Sequence, residues 1–190
     1  MSNELNGKRV AILVADGFEQ VELTEPRAAL EKAGASTAIV SPNEDEVKGW
    51  QHTEWGDTFE VDVHLDDAQA QDFDALLLPG GVINPDKLRI VPEAIEFIKG
   101  FLRDRKPVAA ICHGPWTLID ADGVRGRTMT SWPSLRTDLR NAGAKWVDEE
   151  VVVDNGIVTS RKPDDIPAFN RKMIEEFAEG RHASRSASAR

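Results

Sequence analysis

The sequence predicts a three-layer α/β sandwich with a mainly parallel sheet and helices on both faces. Three apolar runs of strand length, at residues 9–15, 74–79 and 108–111, each stop abruptly at a turn signal. Runs that are apolar throughout are typical of parallel strands covered on both faces. Segments of helical spacing lie between them, and strand–helix–strand order is that of right-handed βαβ units.

The first such unit occupies the N-terminal forty residues. Residues 9–15, RVAILVA, form its first strand and end in a turn. Pro26 suits the first turn of a helix capped near Thr24 or Glu25, and Gly34 suits the position just after its end. Residues 35–41, ASTAIVS, form the second strand.

Residues 43–65 break this pattern. Aromatic side chains interleave with polar ones, and FEVDVHL at 59–65 alternates strictly. Such alternation predicts a half-exposed antiparallel strand or hairpin. A short helix or loop follows at 66–73, and the buried strand 74–79 is closed by Gly80-Gly81.

The remaining elements complete one domain over residues 1–180. They are a helical turn at 84–89, helices at 92–105, 133–142 and 166–179, and short strands at 127–131, 145–147, 151–154 and 157–160. Asn155-Gly156 between the last two strands is a hairpin signal. Residues 181–190 have almost no apolar content, which predicts a disordered Arg/Ser tail.

Charge and cysteine content exclude several classes of protein. The net charge is −10, and the last ten residues hold arginines but no acid, so the rest is more acidic still. Such a surface repels nucleic-acid phosphates, so we expect no direct DNA binding. A single cysteine excludes an internal disulfide framework and suits a reducing compartment. Without a secretory h-region or a long apolar run, we expect a cytoplasmic protein that contacts no membrane.

Cys112 is the residue most suggestive of chemistry. It is the only cysteine, and it lies where the apolar run 108–111 gives way to His113-Gly114-Pro115 and a helix-like segment. The N–H groups and partial positive charge of a helix N-terminus favour a thiolate, which is the nucleophilic form. The alternative is a buried free cysteine that packs as a small hydrophobe.

Three strand ends carry polar or glycine residues suited to a site, namely Asp16–Glu19, Pro79–Gly81 and Cys112–Gly114. Ligands of open parallel sheets bind outside the carboxyl ends of the strands, so we expect these segments to meet at one edge. The histidines and the cysteine have no metal-ligand spacing, and no P-loop, GxGxxG or GxSxG is present. We therefore predict no metal and no cofactor.

Four segments together resemble the PfpI superfamily. They are ADGFEQVEL (15–23), DALLLPGG (74–81), AICHGP (110–115) and GRTMTSWP (126–133). The resemblance spans about residues 8–179, and DLRNAGAKWVDEEVVVD (138–154) is similar to the PfpI-type branch specifically. The superfamily comprises PfpI-type intracellular proteases, protein deglycases and the parkinsonism-associated protein. It implies a flavodoxin-like fold of the class I glutamine amidotransferase type.

The resemblance also implies roles for individual residues. Cys112 is the nucleophile on a strained strand-to-helix turn, and Glu19 lies beside it, protonated and donating a hydrogen bond to the thiolate. A buried carboxyl group near an anion has a raised pKa, which suits this role; otherwise Glu19 is an exposed first-turn glutamate. Gly80 and Gly81, with the N–H of His113, form an oxyanion hole, or an ordinary turn.

His113 is implied to be a general base, with an acidic partner from a neighbouring subunit of a dimer or hexamer. Asp86 holds that acidic position where the superfamily has Glu, so it reaches less far. Asp86 as a helix N-terminal cap is the alternative. Trp116 and Trp132 line the pocket mouth or pack in the core, and Gly114 completes the substrate-binding set.

The predicted function is a cofactor-independent cysteine hydrolase active in stress response. Its substrates are small carbonyl compounds, or adducts of methylglyoxal or glyoxal on proteins or nucleotides, in preference to peptide bonds. The alternative is a non-enzymatic stress protein in which Cys112 is a redox sensor, or a chaperone. Glutaminase activity needs a His-x-Glu pair near the C-terminal end, and residues 161–170 contain no histidine.

Overall fold

Seven strands form the central sheet of the computed structural model, which describes residues 4–181. Of the predicted tail at 181–190, all but Arg181 lies outside the described residues. Two smaller sheets, β9–β10 and β2–β4–β5, bring the strands within residues 4–181 to twelve. They are β1 (Arg9–Leu13), β2 (Phe18–Glu19), β3 (Ser36–Ser41), β4 (Glu46–Gln51), β5 (Glu54–Glu60), β6 (Val63–His64), β7 (Ala75–Leu78), β8 (Val108–Ile111), β9 (Thr128–Met129), β10 (Lys145–Trp146), β11 (Val151–Asp154) and β12 (Ile157–Ser160).

Six α-helices accompany these strands. They are α1 (Gln20–Lys32), α2 (Ile83–Leu88), α3 (Pro92–Arg103), α4 (Pro115–Asp120), α5 (Arg136–Asn141) and α6 (Ile166–Glu179). Short 3-10 turns lie at Leu65–Asp67, Ala70–Asp72, Pro133–Leu135 and Pro163–Asp165.

The central sheet has the order β11-β12-β8-β7-β1-β3-β6. Every pairing in it is parallel except the antiparallel pair β11–β12. The α/β sandwich with a mainly parallel sheet is therefore confirmed. Because β1, β7 and β8 are adjacent, their carboxyl ends lie side by side, as the sequence predicts.

Two hydrophobic cores, one on each face of the sheet, explain the continuous apolar runs. Alternate residues of β1 enter different cores: Val10 and Ile12 pack in one with residues of α1 and α6, and Ala11 and Leu13 pack in the other with α3. All four side chains are fully buried. A strand covered on both faces has no side open to water, so no polar alternation appears in its sequence.

Helix α1 begins earlier than predicted. It starts at Gln20, so Pro26 lies in its interior and not in its first turn. Proline removes one backbone donor and its ring crowds the carbonyl of residue 22. The helix continues because Leu23, Pro26 and Leu30 are buried on its inner face. The predicted end is confirmed, since Gly34 follows with a φ of +100°.

The segment at 43–65 is only partly as predicted. β4 and β5 form an antiparallel hairpin, and β2 pairs with β4 in parallel to make a three-stranded sheet. Residues 59–65, however, are not one strand, because Val63–His64 leaves the hairpin and pairs in parallel with β3. The chain turns at Asp62, whose carboxylate accepts the N–H of Ile39 at 2.7 Å.

Candidate active site

The turn between β8 and α4 holds Cys112 in a strained conformation. Its φ is +61°, a left-handed backbone that L-residues other than Gly, Asn and Asp seldom adopt. Its N–H donates to the carbonyl of Ser160 at 3.0 Å, and its carbonyl accepts the N–H of Trp132 at 2.9 Å. A Cβ on Gly114 would lie 2.5 Å from the carbonyl oxygen of Leu78, so only glycine lets the turn lie this close to β7.

A cleft of about 520 Å³ opens above this turn. The three predicted strand ends meet in it, and the Cys112 side chain lies at its floor, with 7% of the residue exposed. The lining residues include glycines, aromatic and apolar side chains and a few charged groups. They are Gly17, Glu19, Glu22, Trp50, His52, Gly81, Val82, Ile83, Cys112, His113, Trp132, Lys162, Pro163 and Asp164.

Glu22, and not Glu19, is the carboxyl group beside the thiol. Glu22 is fully buried, and its Oε2 accepts the N–H of Gly80 at 2.9 Å. Burial raises the pKa of Glu22 to about 8, and contact with the Cys112 side chain and backbone N–H groups only partly offsets this rise. The expected position of Glu19 is therefore wrong.

The start of α1 explains this correction. Glu19 ends β2, and its Oε1 lies 3.4 Å from the backbone nitrogen of His52 at the cleft wall. Glu22 comes one helical turn further on and shares the buried inner face of α1 with Pro26 and Leu30. Glu22, Pro26 and Leu30 are spaced i, i+4 and i+8, which places them on one face of a helix that starts at residue 20. This spacing is the sequence signal that could have identified Glu22.

The thiol and Glu22 form a coupled pair. Burial raises the pKa of the Cys112 thiol, and negative charge on Glu22 raises it further, while the N–H groups of Gly81 and His113 lower it. With a pKa of about 8, Glu22 is mostly protonated at neutral pH. A protonated carboxyl group removes the charge that opposes the thiolate and offers it a hydrogen-bond donor.

The two glycines after β7 have different roles. The N–H of Gly80 is engaged by Glu22, so Gly80 is not the free oxyanion donor that we expected. A Cβ on Gly80 would lie 2.6 Å from the Cβ of Cys112, so glycine is needed there for space. Gly81 has a φ of +74°, and its N–H lowers the pKa of both the Cys112 thiol and Glu22. The available donors at the sulfur are therefore the N–H groups of Gly81 and His113.

The imidazole of His113 contacts the thiol directly. Its Nδ1 lies 3.1 Å from the Sγ of Cys112, and its Nε2 lies 3.5 Å from the Oγ of Ser134. Burial lowers the pKa of His113 to about 4, so the ring is neutral at neutral pH and its Nδ1 can accept a hydrogen bond from the thiol. Within residues 4–181 no carboxylate hydrogen-bonds or pairs with this ring.

Asp86 is outside the cleft of a single chain. It is exposed in the first turn of α2, and the N-cap of that helix is Val82, so the capping alternative is wrong. Its role across a subunit interface, in a dimer or hexamer, stays a prediction.

The two tryptophans hold His113 from different sides. Trp132 lines the cleft and stacks on the imidazole, with ring centroids 6.0 Å apart and an interplanar angle of 22°. Trp116 lies outside the cleft lining and meets the same ring edge-on at 5.2 Å. Its Nε1 donates to Asp138 at 2.9 Å, which fixes the indole.

Several residues of the cleft wall carried no signal in the sequence. Trp50 and His52 reach it from the β4–β5 hairpin, and Lys162, Pro163 and Asp164 reach it from the segment after β12. Both segments are remote from the strand-end motifs along the chain, so only the fold brings them there. Across the described residues 4–181, no group of three or more His, Cys, Asp or Glu side chains could hold a metal ion. No helix in that range is long and apolar enough to cross a membrane.

A parallel α/β sheet with a strained thiol at a strand-to-helix turn defines a class of protein, and comparison with known families identifies it. The model of the DJ-1/PfpI family matches residues 8–176, so the chain belongs to the DJ-1/PfpI family. This confirms the resemblance found in the sequence.

Two relatives from Bacillus subtilis (strain 168) are each 46% identical to this chain. One is named putative cysteine protease YraA and is aligned over 88% of this chain and 96% of its own length. The other is named General stress protein 18, with the same coverage of both chains.

Solved structures show the same fold. Drosophila melanogaster DJ-1beta superposes with a TM-score of 0.81 at 27% identity, covering 94% of this chain and 91% of that one. A two-domain protein from Anabaena variabilis, with DJ-1/ThiJ/PfpI-like and ferritin-like domains, gives 0.84 at 32% identity. The match covers 96% of this chain and 52% of that protein, so this chain spans about half of it.

Proposed function

We propose that this protein is a cofactor-independent cysteine hydrolase whose substrates are carbonyl compounds, including methylglyoxal or glyoxal adducts of proteins or nucleotides. The observation that carries the proposal is the geometry around one sulfur atom. The strained Cys112 lies at the floor of an open cleft with the Nδ1 of His113 at 3.1 Å. The N–H groups of Gly81 and His113 are directed at the sulfur.

Each group has a defined part in this chemistry. Neutral His113 takes the thiol proton, the sulfur bonds to the carbonyl carbon, and the C=O electron pair moves onto oxygen. The N–H groups of Gly81 and His113 stabilise that oxyanion. With methylglyoxal the resulting hemithioacetal moves its C–H proton to the neighbouring carbonyl carbon and becomes a thioester, and water hydrolyses this thioester to a 2-hydroxy acid and the free thiol. In an aminocarbinol adduct the sulfur displaces the amine, which leaves with the proton held by His113.

A side-by-side assay tests the proposal. Wild type and Cys112→Ser are compared on methylglyoxal, a glycated peptide and the same peptide unmodified. We expect wild type to consume the first two and the variant to lose at least about a hundredfold in rate, because a serine hydroxyl is a far weaker acid and nucleophile than a thiol. Equal rates for the two proteins would refute the proposal. Turnover of the unmodified peptide alone would show a peptidase, the activity named for one relative.

A redox role of the same thiol is the second candidate, since Cys112 can be reached from the cleft and a relative is named a general stress protein. Peroxide would oxidise the thiolate to a sulfenic acid and be reduced to water. Mass spectrometry after mild peroxide treatment tests this. An unmodified Cys112, under conditions that oxidise a free thiol peptide, would count against it.

A further inference from the structure

Asn84 is a fully buried amide behind the candidate site, and its side chain hydrogen-bonds to the backbone of two strand ends. Its Oδ1 accepts the N–H of Ala15, just after β1, at 2.8 Å. Its Nδ2 donates to the carbonyl oxygens of Pro79 and Gly80, just after β7, at 3.0 and 3.1 Å. One side chain on α2 thereby joins the two loops that meet at the cleft.

The two carbonyls belong to the peptide units that serve the thiol and its carboxyl neighbour. A trans peptide is planar, and its C=O and N–H point in opposite directions. Holding the Pro79 carbonyl therefore directs the N–H of Gly80 the other way, where it donates to Glu22 at 2.9 Å. Holding the Gly80 carbonyl in the same way directs the N–H of Gly81 toward Cys112.

Both peptide units need such a restraint. Each contains glycine, which has no Cβ to restrict its backbone, so either plane can rotate at little steric cost. Rotation of the Gly80–Gly81 plane would turn a carbonyl oxygen toward the sulfur in place of an N–H. The N–H of Glu19 also donates to the Gly80 carbonyl, but at 3.4 Å, which is a weaker restraint than the bond from Asn84.

We propose that Asn84 is a positioning residue for Cys112: its amide locks two consecutive peptide planes, so that the Gly80 N–H is directed at Glu22 and the Gly81 N–H at the sulfur. This inference rests on Cys112 being the reacting group of the proposed function, but on no particular substrate. Asn84 touches no reacting atom and acts through the backbone of the two glycines.

The rate of Cys112 alkylation by iodoacetamide, measured against pH, tests the proposal without any substrate. In Asn84→Ala the Gly81 N–H is no longer held toward the sulfur, so the thiolate loses a charge-assisted hydrogen bond. We expect the midpoint of the profile to rise by about one pH unit, which makes alkylation about tenfold slower below the midpoint. Glu22, His113, Glu19, His52, Lys162 and Asp164 also titrate or carry charge around the cleft, and they are unchanged in every variant compared.

Asn84→Asp is the sharper variant because it keeps the size of the side chain. Its carboxylate still accepts the Ala15 N–H but places an oxygen opposite two carbonyl oxygens, which repels both planes. We expect its midpoint to rise further than that of Asn84→Ala. If Asn84→Ala does not fold, Asn84→Leu replaces it, because leucine keeps the size of the side chain and adds no charge that would raise the pKa of the thiol directly.

Asp74→Ala is the matched control. Asp74 joins the same two strands at their opposite ends, where its Oδ2 accepts the N–H of Arg9 at 2.8 Å. We expect this variant to keep the wild-type profile whatever its melting temperature. An unmoved midpoint in folded Asn84→Asp, or equal shifts in the control, would overturn the proposal. Absence of carbonyl hydrolysis in wild type would refute the proposed function and leave this result intact.

Discussion

Two glutamates one helical turn apart lie in different environments at the cleft. Glu22 is buried against the thiol, whereas the Oε1 of Glu19 lies 3.7 Å from the Nδ1 of His52. Glu22 is desolvated enough to hold its proton at neutral pH, with a pKa of about 8. The charge beside the Cys112 thiol is therefore set by Glu22, which the sequence resemblance did not single out.

Glu22→Gln tests that assignment at the scale of one residue. The amide cannot ionise, so it imitates protonated Glu22 at every pH and removes the charge that raises the pKa of the thiol. We expect the dependence of Cys112 alkylation on pH near 8 to disappear, with faster alkylation above it. Glu19→Gln is the control and keeps the wild-type profile. The reverse result would restore Glu19 to the position beside the thiol.

The segment after β12 is held against the cleft by ion pairs of Arg161. Arg161 donates to the buried carboxylate of Asp165 through Nε and Nη2, both at 2.9 Å, and to Asp148 through Nη1 at 2.9 Å. Hydrogen bonds to these two carboxylates raise the pKa of Arg161 above its ordinary value. We call these two ion pairs of Arg161 the Arg161 clamp. The clamp fixes the turn at 162–164, which forms one wall of the cleft.

Removing the clamp should destabilise this element strongly. Arg161→Ala leaves Asp165, only 4% exposed, without its guanidinium partner, and uncompensated buried charges cost about 3–5 kcal/mol. We expect a loss of about 2–4 kcal/mol, because part of the Arg161 side chain is open to water. Urea unfolding measures it, with Arg125→Ala, whose pair with Asp122 is exposed, as the control. Equal losses in both variants would contradict the clamp.

At the scale of the whole molecule, two buried groups give stability a dependence on pH. The pKa of Glu22 is raised from 4.5 to about 8 by burial, so the folded state holds a proton that the unfolded chain releases. Stability from this group is present below pH 4.5 and is lost as pH rises toward 8. His113, whose pKa is lowered from 6.5 to about 4 by burial, acts at the acid end, where stability is lost as pH falls below 6.5.

The alkaline side of this profile is the easier to measure. We expect wild type to lose a few kcal/mol of unfolding free energy between about pH 5 and 9, in excess of what Glu22→Gln loses. Urea unfolding of both proteins at several pH values provides the comparison. Parallel profiles would show that Glu22 titrates normally in the folded protein.

The sequence by itself determined the buried parallel strands, the turn that carries Cys112 and the family. These depend on local patterns: apolar runs fully buried in strands, as in Val10–Leu13, and a cysteine at the start of a helix-like segment. The hairpin at Asn155-Gly156 was predictable for the same reason, since both residues have a positive φ and pair β11 with β12.

Only the tertiary structure decided which groups surround the sulfur. Asn84 and the wall at 162–164 act through burial and through contacts between segments far apart in the chain, and neither leaves a local pattern. Glu22 lies on a helical stripe of buried residues, but only the fold brings its carboxyl group to Gly80 and the thiol. The pKa of a carboxyl group and the direction of a glycine N–H depend on what packs against them. Residue type and spacing therefore predict where the Cys112 thiol lies, and packing decides which groups hold its proton and hydrogen-bond to it.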